Sequence, residues 1–455
     1  MRRPFDYPLF AGPVARGAMI SVVVRVGGIG IVTVQAILTA RLLGPEGYGT
    51  VAFVLSLSSI FASIVLLGTE PLATREVARL LTLDDRPALK GFLGMIRRSV
   101  VLAGLAGALI WMGIATLVLP GRTEGNWAQY AVFAALIFPV LALTLQMQAV
   151  LRGHGLVAMS QLPQMVLRPL VLVAVLCLAY VTAWQIGPLT YLVVAVIANL
   201  IAFGVAAYVL RSTLASLREV AATPPRLGAL VGAAAPFLAI GAIGVMLGEI
   251  NTLMLMWWAD AEQTGLFQPI ARIAPLLMLA MQAVGTRYAP RITEFWTAGE
   301  TARLADVTRK VTVITTGFTL LSAVVLLFFA KPLLGLFGRE FAVNAHALWW
   351  IAGAQIVNAA CGPAAMLLTM SGHAPRAIGP QLLGLAVNIL LGALLISGRG
   401  AEGAAIAMAG GIVTWNLAML VLVVRRVGFD PSLFGSVIAW RREQLTREAA
   451  KVGND

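Results

Sequence analysis

The sequence alternates between long apolar runs and short polar gaps along almost its whole length. Each run exceeds the ~20 residues that an α-helix, rising ~1.5 Å per residue, needs to cross ~30 Å of hydrocarbon. The runs are predicted to be helices because a strand in lipid would leave backbone groups unpaired. The predicted spans are residues 14–42, 47–68, 99–119, 127–151, 157–181, 186–210, 229–257, 264–287, 311–330, 345–370, 376–397 and 402–424. The pattern therefore predicts an all-α integral membrane protein with about 12 transmembrane helices.

Basic residues are distributed unequally between the gaps. Of the 33 Lys and Arg residues, 25 lie in alternate gaps starting from the N-terminal segment, five lie in the other gaps, and three lie inside the runs. Lys and Arg concentrate in cytoplasmic loops, so both termini are predicted to be cytoplasmic. The net charge of +13 is then explained by topology and by contact with anionic membrane lipid, and no nucleic-acid partner is expected.

Short segments recur at nearly constant offsets, which predicts duplication of a six-helix unit. The pairs are EGYG at 46–49 and EQTG at 262–265, Arg75 and Arg291, and Gly153-His154 and Gly372-His373. Six is an even number, so both units enter the membrane from the same side and form a parallel repeat around a central cavity. The predicted domains are an N-lobe at 1–212, a cytoplasmic linker at 213–228, a C-lobe at 229–428 and a cytoplasmic amphipathic tail at 429–455.

Four charged residues lie in the interior of the predicted spans, away from the span ends: Arg25, Arg168, Arg272 and Glu249. At ~2.5–3.5 kcal/mol for each central Arg, the three arginines cost on the order of 10 kcal/mol unless water or partners surround them. We therefore expect them to face the cavity, although snorkelling or pairing with backbone carbonyls is an alternative.

Helical spacing places further polar residues beside the arginines. Steps of three and four residues along a helix stay on one face. Such steps lead from Arg25 to Gln35 in span 1 and from Gln268 to Arg272 in span 8, so each pair shares a helix face. Gln161 and Gln164 extend a shorter stripe from Arg168 in span 5. These stripes predict one polar, cationic face in each lobe. A surplus of fixed positive charge favours an anion, and the planar fork of Arg binds phosphate oxygens bidentately.

Glu249 and Arg272 have nearly equal offsets from Asp260, in the turn between spans 7 and 8. Antiparallel neighbours with equal offsets lie at equal depth, so the two side chains are candidates for an ion pair. Two interpretations of Glu249 stay open, a purely structural ion pair and an ion-coupling residue.

Four stretches resemble a known family. Residues 40–49, ARLLGPEGYG, are similar to the R-L-L-G-P-x-x-Y-G signature of bacterial polysaccharide flippases in the multidrug/oligosaccharidyl-lipid/polysaccharide exporter (MOP) superfamily. Further similar stretches are 148–153, 251–253 with 265–267, and 387–389 with 403–407. Asn251 departs from the pattern because relatives often have an acid there, and this makes Glu249 the nearer candidate for ion coupling.

The resemblance implies two six-helix lobes that alternate between inward-open and outward-open forms. It also implies a cargo of polyprenyl-pyrophosphate-linked oligosaccharide, moved across the bacterial inner membrane for polysaccharide or lipopolysaccharide synthesis. By resemblance, Arg25 and Arg272 face the pyrophosphate, and polysaccharide polymerase machinery is a candidate partner. No catalytic residue, cofactor or metal is expected.

Two alternatives remain. A multidrug/cation antiporter of the same superfamily would have an acid in the first lobe's cavity, and spans 1 to 6 offer none near mid-membrane. A membrane glycan polymerase or ligase would need a large outer loop with catalytic residues, and the predicted outer loops are short.

Overall fold

A computed structural model of the protein describes residues 13–118, 127–217, 219–223, 225, 227–438 and 441. Nearly all of these residues are helical, and no strand occurs among them. The helices are α1 (Pro13–Val65), α2 (Thr69–Thr82), α3 (Arg86–Val118), α4 (Trp127–Gly153), α5 (Val157–Leu162), α6 (Arg168–Thr182), α7 (Pro188–Thr213), α8 (Leu227–Trp258), α9 (Ala261–Ile273), α10 (Leu279–Thr297), α11 (Thr301–Phe328), α12 (Ala330–Gly335), α13 (Ala347–Ala360), α14 (Ala364–Met370) and α15 (Ile378–Val427).

The helices correspond to the predicted spans. Within the described residues, eight are long and apolar enough to cross a membrane, or nine when α13 and α14, bent by 43°, count as one broken span. The helices α1 and α15 have 53 and 50 residues, so each is long enough to contain two spans. The eighth predicted span corresponds to α9 and α10. The predicted all-α membrane fold is confirmed.

Glycine interrupts the two longest helices at the predicted turns. Gly44 has φ 68° inside α1, and Gly400 has φ 50° inside α15. Positive φ values are strained for residues with a Cβ, whereas glycine adopts them readily. Each glycine therefore lets the chain reverse between two consecutive spans without a longer loop.

Three further spans are irregular where the sequence contains proline. A π-helical turn at Pro163–Leu167 separates α5 from α6, and a 3₁₀ segment at Ala274–Met278 separates α9 from α10. The break between α13 and α14 includes Pro363. Proline lacks a backbone N–H and its ring clashes with the preceding turn, so a regular α-helix cannot continue through these positions unchanged.

The chain divides into two compact units, residues 1–249 and 250–455. The division falls inside α8, whereas the predicted lobes meet at the linker 213–228. In the first unit, Gly68 lies directly against the backbone of Ala234 and Leu238 in α8. This packing explains why the first part of α8 groups with the N-terminal helices. The predicted domain boundaries otherwise remain predictions.

One apolar core of the first unit lies around α2. Leu72, Val77 and Leu80 are buried against α3 and α4, while the opposite face of α2 is exposed. Arg152 at the end of α4 forms an ion pair of 2.7 Å with Glu70. In the second unit, a buried cluster joins α10, α11, α14 and α15. Each unit thus has its own apolar core.

The segment after α15 packs against the second unit through its own polar residues. The Thr312 hydroxyl donates a 2.8 Å hydrogen bond to the Pro431 carbonyl, and Ser432 and Ser436 are buried. Phe434 and Ile438 lie on the exposed side. In the amphipathic tail predicted at 429–455, such an apolar face would contact the inner leaflet. Leu445, farther along the tail, lies outside the described residues.

Candidate functional site

The first and fifth spans meet where two of the candidate arginines are located. A Cβ on Gly28 would lie 2.9 Å from the carbonyl oxygen of Met165, so only glycine allows this approach. Arg25 precedes Gly28 by one helical turn, and Arg168 follows Met165 by three residues. Arg25 is exposed and Arg168 is half-buried. The backbone contact therefore brings these two segments of the first unit together.

The stripe predicted in span 5 contains two glutamines whose side chains have buried polar atoms. Gln161 Oε1 and Gln164 Nε2 are buried and have no hydrogen-bond partner among the described residues. Leaving such groups unsatisfied costs about 1–3 kcal/mol each. The π-helical turn at Pro163–Leu167, which ends just before Arg168, changes the helical register of this stripe. Such turns occur frequently at functional sites.

Gln35 is bound to the sixth span. Its side-chain amide donates a 2.8 Å hydrogen bond to the Tyr191 hydroxyl, and Tyr191 is buried. Sequence reasoning missed Tyr191, although a hydroxyl near the start of an otherwise apolar run was a usable signal. The carbonyl oxygen of the Gln35 side chain is a potential acceptor for a ligand.

In the second unit, Arg272 also lies beside a helix irregularity. It is in the last turn of α9 and is exposed, and the 3₁₀ segment Ala274–Met278 follows at once. A change from α to 3₁₀ geometry alters which carbonyls are bonded within the helix. Arg168 and Arg272 therefore each lie next to a short non-α segment that interrupts their span.

Gln268 has its partners inside the same unit. Its amide nitrogen donates to the Thr252 hydroxyl at 3.1 Å and to the Thr264 carbonyl at 3.4 Å, and the side chain is buried. In contrast, both side-chain amide atoms of Asn251 are buried without a partner among the described residues, as is Asn388 Oδ1. The second unit therefore contains buried amides that its own described groups do not satisfy.

Glu249 contacts the second span. The Ser56 hydroxyl donates a 2.6 Å hydrogen bond to Glu249 Oε2, with Ser56 buried and Glu249 half-buried. Sequence reasoning did not identify Ser56, since nothing in the pattern links residues so far apart. Glu249 belongs to the first unit and Arg272 to the second, and the ion pair between them stays a prediction.

No group of three or more His, Cys, Asp or Glu side chains suited to a metal ion occurs within the described ranges. The charged side chains in the interior of the spans are the guanidinium groups of Arg25, Arg168 and Arg272 and the carboxylate of Glu249. The guanidinium groups outnumber the carboxylate, and a surplus of positive charge favours an anion.

Several solved structures have a similar fold. The chain aligns with an inward-facing multidrug resistance MATE family transporter of the MOP superfamily at TM-score 0.70 and 13% identity, covering 90% of this chain and 98% of that one. A MOP superfamily transporter from Pyrococcus furiosus aligns at TM-score 0.61 and 15% identity, with 92% and 97% coverage. A Vibrio cholerae MATE transporter aligns at TM-score 0.56 and 17% identity, with 90% and 96% coverage.

Sequence comparison identifies the family more closely. None of the curated proteins matches at a significant level. The MatE family model matches residues 236–396. The model described as "Polysaccharide biosynthesis protein" matches residues 14–296, which is more than half of the 455-residue chain. The chain therefore belongs to the polysaccharide biosynthesis protein family, and it shares its fold with transporters of the MOP superfamily.

Proposed function

We propose that the protein is a flippase that moves polyprenyl-pyrophosphate-linked oligosaccharide repeat units across the bacterial inner membrane by alternating access. The observation that carries the proposal is the presence of Arg25, Arg168 and Arg272 within apolar spans, two of them beside helix interruptions. Family membership supports a role in polysaccharide synthesis. Both termini are cytoplasmic in this proposal, as the distribution of basic residues predicts.

The arginines hold the headgroup. A pyrophosphate carries several negative charges, and guanidinium groups bind its oxygens through charge-assisted, bidentate hydrogen bonds. Because Arg25 and Arg168 flank the contact between Gly28 and Met165, they approach the headgroup from adjoining helices of one unit. Arg272, which the sequence places inside the eighth predicted span, is proposed to bind the headgroup as well. Alternating access requires the headgroup to bind with different affinity in the two conformations.

The remaining site residues have supporting roles. Gln35 and Gln268 offer side-chain oxygens to sugar hydroxyls or phosphate-bound water, since their nitrogens already donate to Tyr191 and Thr252. Glu249 is the candidate for ion coupling. The polyprenyl chain stays in the bilayer, and the exported unit is passed to a polysaccharide polymerase.

The test is transport by purified protein in proteoliposomes, with a fluorescent polyprenyl-pyrophosphate-linked oligosaccharide added from one side. Arg25→Ala and Arg272→Ala should each reduce the initial rate at least tenfold, whereas Arg376→Ala, an exposed arginine in an inner turn, should not. Arg25→Lys should restore only part of the rate because an ammonium group lacks the bidentate fork. Wild-type rates in both alanine variants would refute the proposal.

The multidrug antiporter remains the second candidate because the chain shares its fold with multidrug transporters. Fixed guanidinium groups repel cations, so we expect no uptake of ethidium by the same proteoliposomes. Ethidium transport that survives Arg25→Ala would favour the antiporter.

A further inference from the structure

A cavity of about 380 Å³ opens in the first unit, away from the arginines assigned to the glycan carrier. It lies between the beginning of α3, the end of α4 and the end of α7, the side of the membrane predicted to be cytoplasmic. Most of its wall is apolar, formed by Leu93, Ile96, Met147, Val150, Leu210 and Leu214.

Two arginines line the same cavity. Arg97 and Arg98 are both exposed, and neither forms an ion pair with any residue in the described part of the chain. The third cation, Lys90, has a different role, since its ammonium donates a 2.6 Å hydrogen bond to the Val220 carbonyl in the linker. The cavity thus combines apolar walls with two adjacent guanidinium groups.

A buried amide gives a second, independent indication of a ligand. Gln146 lines the cavity and is only 4% exposed, yet its Nε2 has no hydrogen-bond partner among the described residues. A buried N–H donor without an acceptor destabilises the protein, because the group has lost its hydrogen bonds to water. A ligand that brings an oxygen acceptor into the cavity would remove this cost.

We infer that the cavity binds an anionic phospholipid of the inner leaflet. The phosphate is held by Arg97 and Arg98, an ester or phosphate oxygen accepts from Gln146, and one acyl chain lies along the apolar wall. Basic pockets between helices on the cytoplasmic side suit anionic headgroups. Inorganic phosphate fits less well than a phospholipid because it has no acyl chain to cover the apolar wall.

The bound lipid also holds the linker. Leu214, Leu217 and Ala222 form part of the cavity wall, and the Thr223 amide donates a 3.0 Å hydrogen bond to the Pro87 carbonyl. A lipid in contact with α3 and this segment stabilises the position of the linker that leads into α8.

The experiment measures lipid binding to the delipidated full-length protein in detergent, by native mass spectrometry and by thermal shift. The probes are phosphatidylglycerol, phosphatidylcholine and inorganic phosphate. Phosphatidylglycerol should bind and raise the melting temperature, and the other two should not. The double variant Arg97→Gln/Arg98→Gln should lose about tenfold or more in affinity, since each basic residue near the membrane surface contributes about 1 kcal/mol.

Matched variants separate this site from general charge and folding effects. Arg425→Gln/Arg426→Gln removes another exposed adjacent pair and should keep wild-type affinity. Gly94→Leu should fill the cavity, because a Cβ at Gly94 meets nothing within 4 Å, and Gly204→Leu is its control in equally open surroundings. Equal binding of phosphatidylcholine or phosphate, or unchanged affinity in Gly94→Leu and the Arg97/Arg98 variant, would overturn the inference. The result is independent of the flippase proposal, since no glycan carrier is present.

Discussion

The Ser56 hydroxyl donates a 2.6 Å hydrogen bond to the carboxylate of Glu249, a residue 193 positions later in the chain. The distance lies at the short end of the range for hydrogen bonds between two oxygens. Because Ser56 is in the second span and Glu249 in α8, the bond joins two segments of the first unit that are remote in sequence. Glu249 therefore has a structural role in addition to any role in ion coupling.

Removing the hydroxyl of Ser56 should destabilise the protein. Ser56→Ala is expected to lower the free energy of unfolding by about 1.5–3 kcal/mol, because the bond involves a charged group. Ser59→Ala is the matched control, since the Ser59 hydroxyl bonds only to the carbonyl of Leu55 in its own helix. The measurement is unfolding in detergent micelles, and equal effects of the two variants would contradict the assignment.

The variant Glu249→Gln removes the carboxylate of residue 249 but keeps an oxygen that can accept the hydrogen bond from Ser56. Glutamine keeps an oxygen that accepts from Ser56, so the variant should fold with near wild-type stability. If Glu249 couples transport to an ion, the variant should move the glycan carrier at a rate that no longer depends on the ion gradient. Transport by Glu249→Gln that responds to the gradient as the wild type does would exclude Glu249 as the coupling residue.

Gly28 should tolerate no side chain. Gly28→Ala places a Cβ 2.9 Å from Met165 O, and the displacement of α1 from span 5 should cost about 1–3 kcal/mol. Gly30→Ala, two residues later in open surroundings, should be neutral or stabilising by up to about 1 kcal/mol. Melting temperatures of the two variants provide the test, and a harmless Gly28→Ala would mean that the helices do not approach this closely.

Gly400 should be equally sensitive for a different reason. Its positive φ is strained for alanine, and a Cβ there would collide with the side chain of Gln263, whose Oε1 accepts a 3.0 Å hydrogen bond from the Ala401 amide. Gly400→Ala should cost at least about 1 kcal/mol. Gly398→Ala, which meets nothing within 4 Å, is the control. Similar melting temperatures for the two variants would show that the turn does not need glycine.

Replacement by leucine should affect stability differently at two buried amides of the second unit, Gln268 and Asn251. Gln268→Leu removes the hydrogen bond to Thr252 and should lower the free energy of unfolding by about 1 kcal/mol. Asn251→Leu removes an amide that has no partner among the described residues, so stability should stay the same or rise. Chemical denaturation in micelles compares them. Strong destabilisation by Asn251→Leu would instead show that this amide holds a bound group.

Local sequence determined the spans and their irregularities. Twelve apolar runs predict the helices, and the turns at Gly44 and Gly400 fall where the pattern places them, because glycine alone adopts their backbone geometry freely. The π-helical turn in the fifth span begins at Pro163, a residue type that interrupts a regular α-helix. The arginines inside the runs are visible in the sequence because charge in an apolar span is rare.

Only the tertiary structure decided which distant groups meet. The partners of Gln35, Glu249 and Gln268 are Tyr191, Ser56 and Thr252, and no sequence spacing indicates the first two. The division between residues 249 and 250, and the cavity lined by Gln146, likewise arise from packing. Hydropathy and helical period are local properties of the chain, whereas hydrogen-bond partners and cavities depend on how helices far apart in sequence pack side by side.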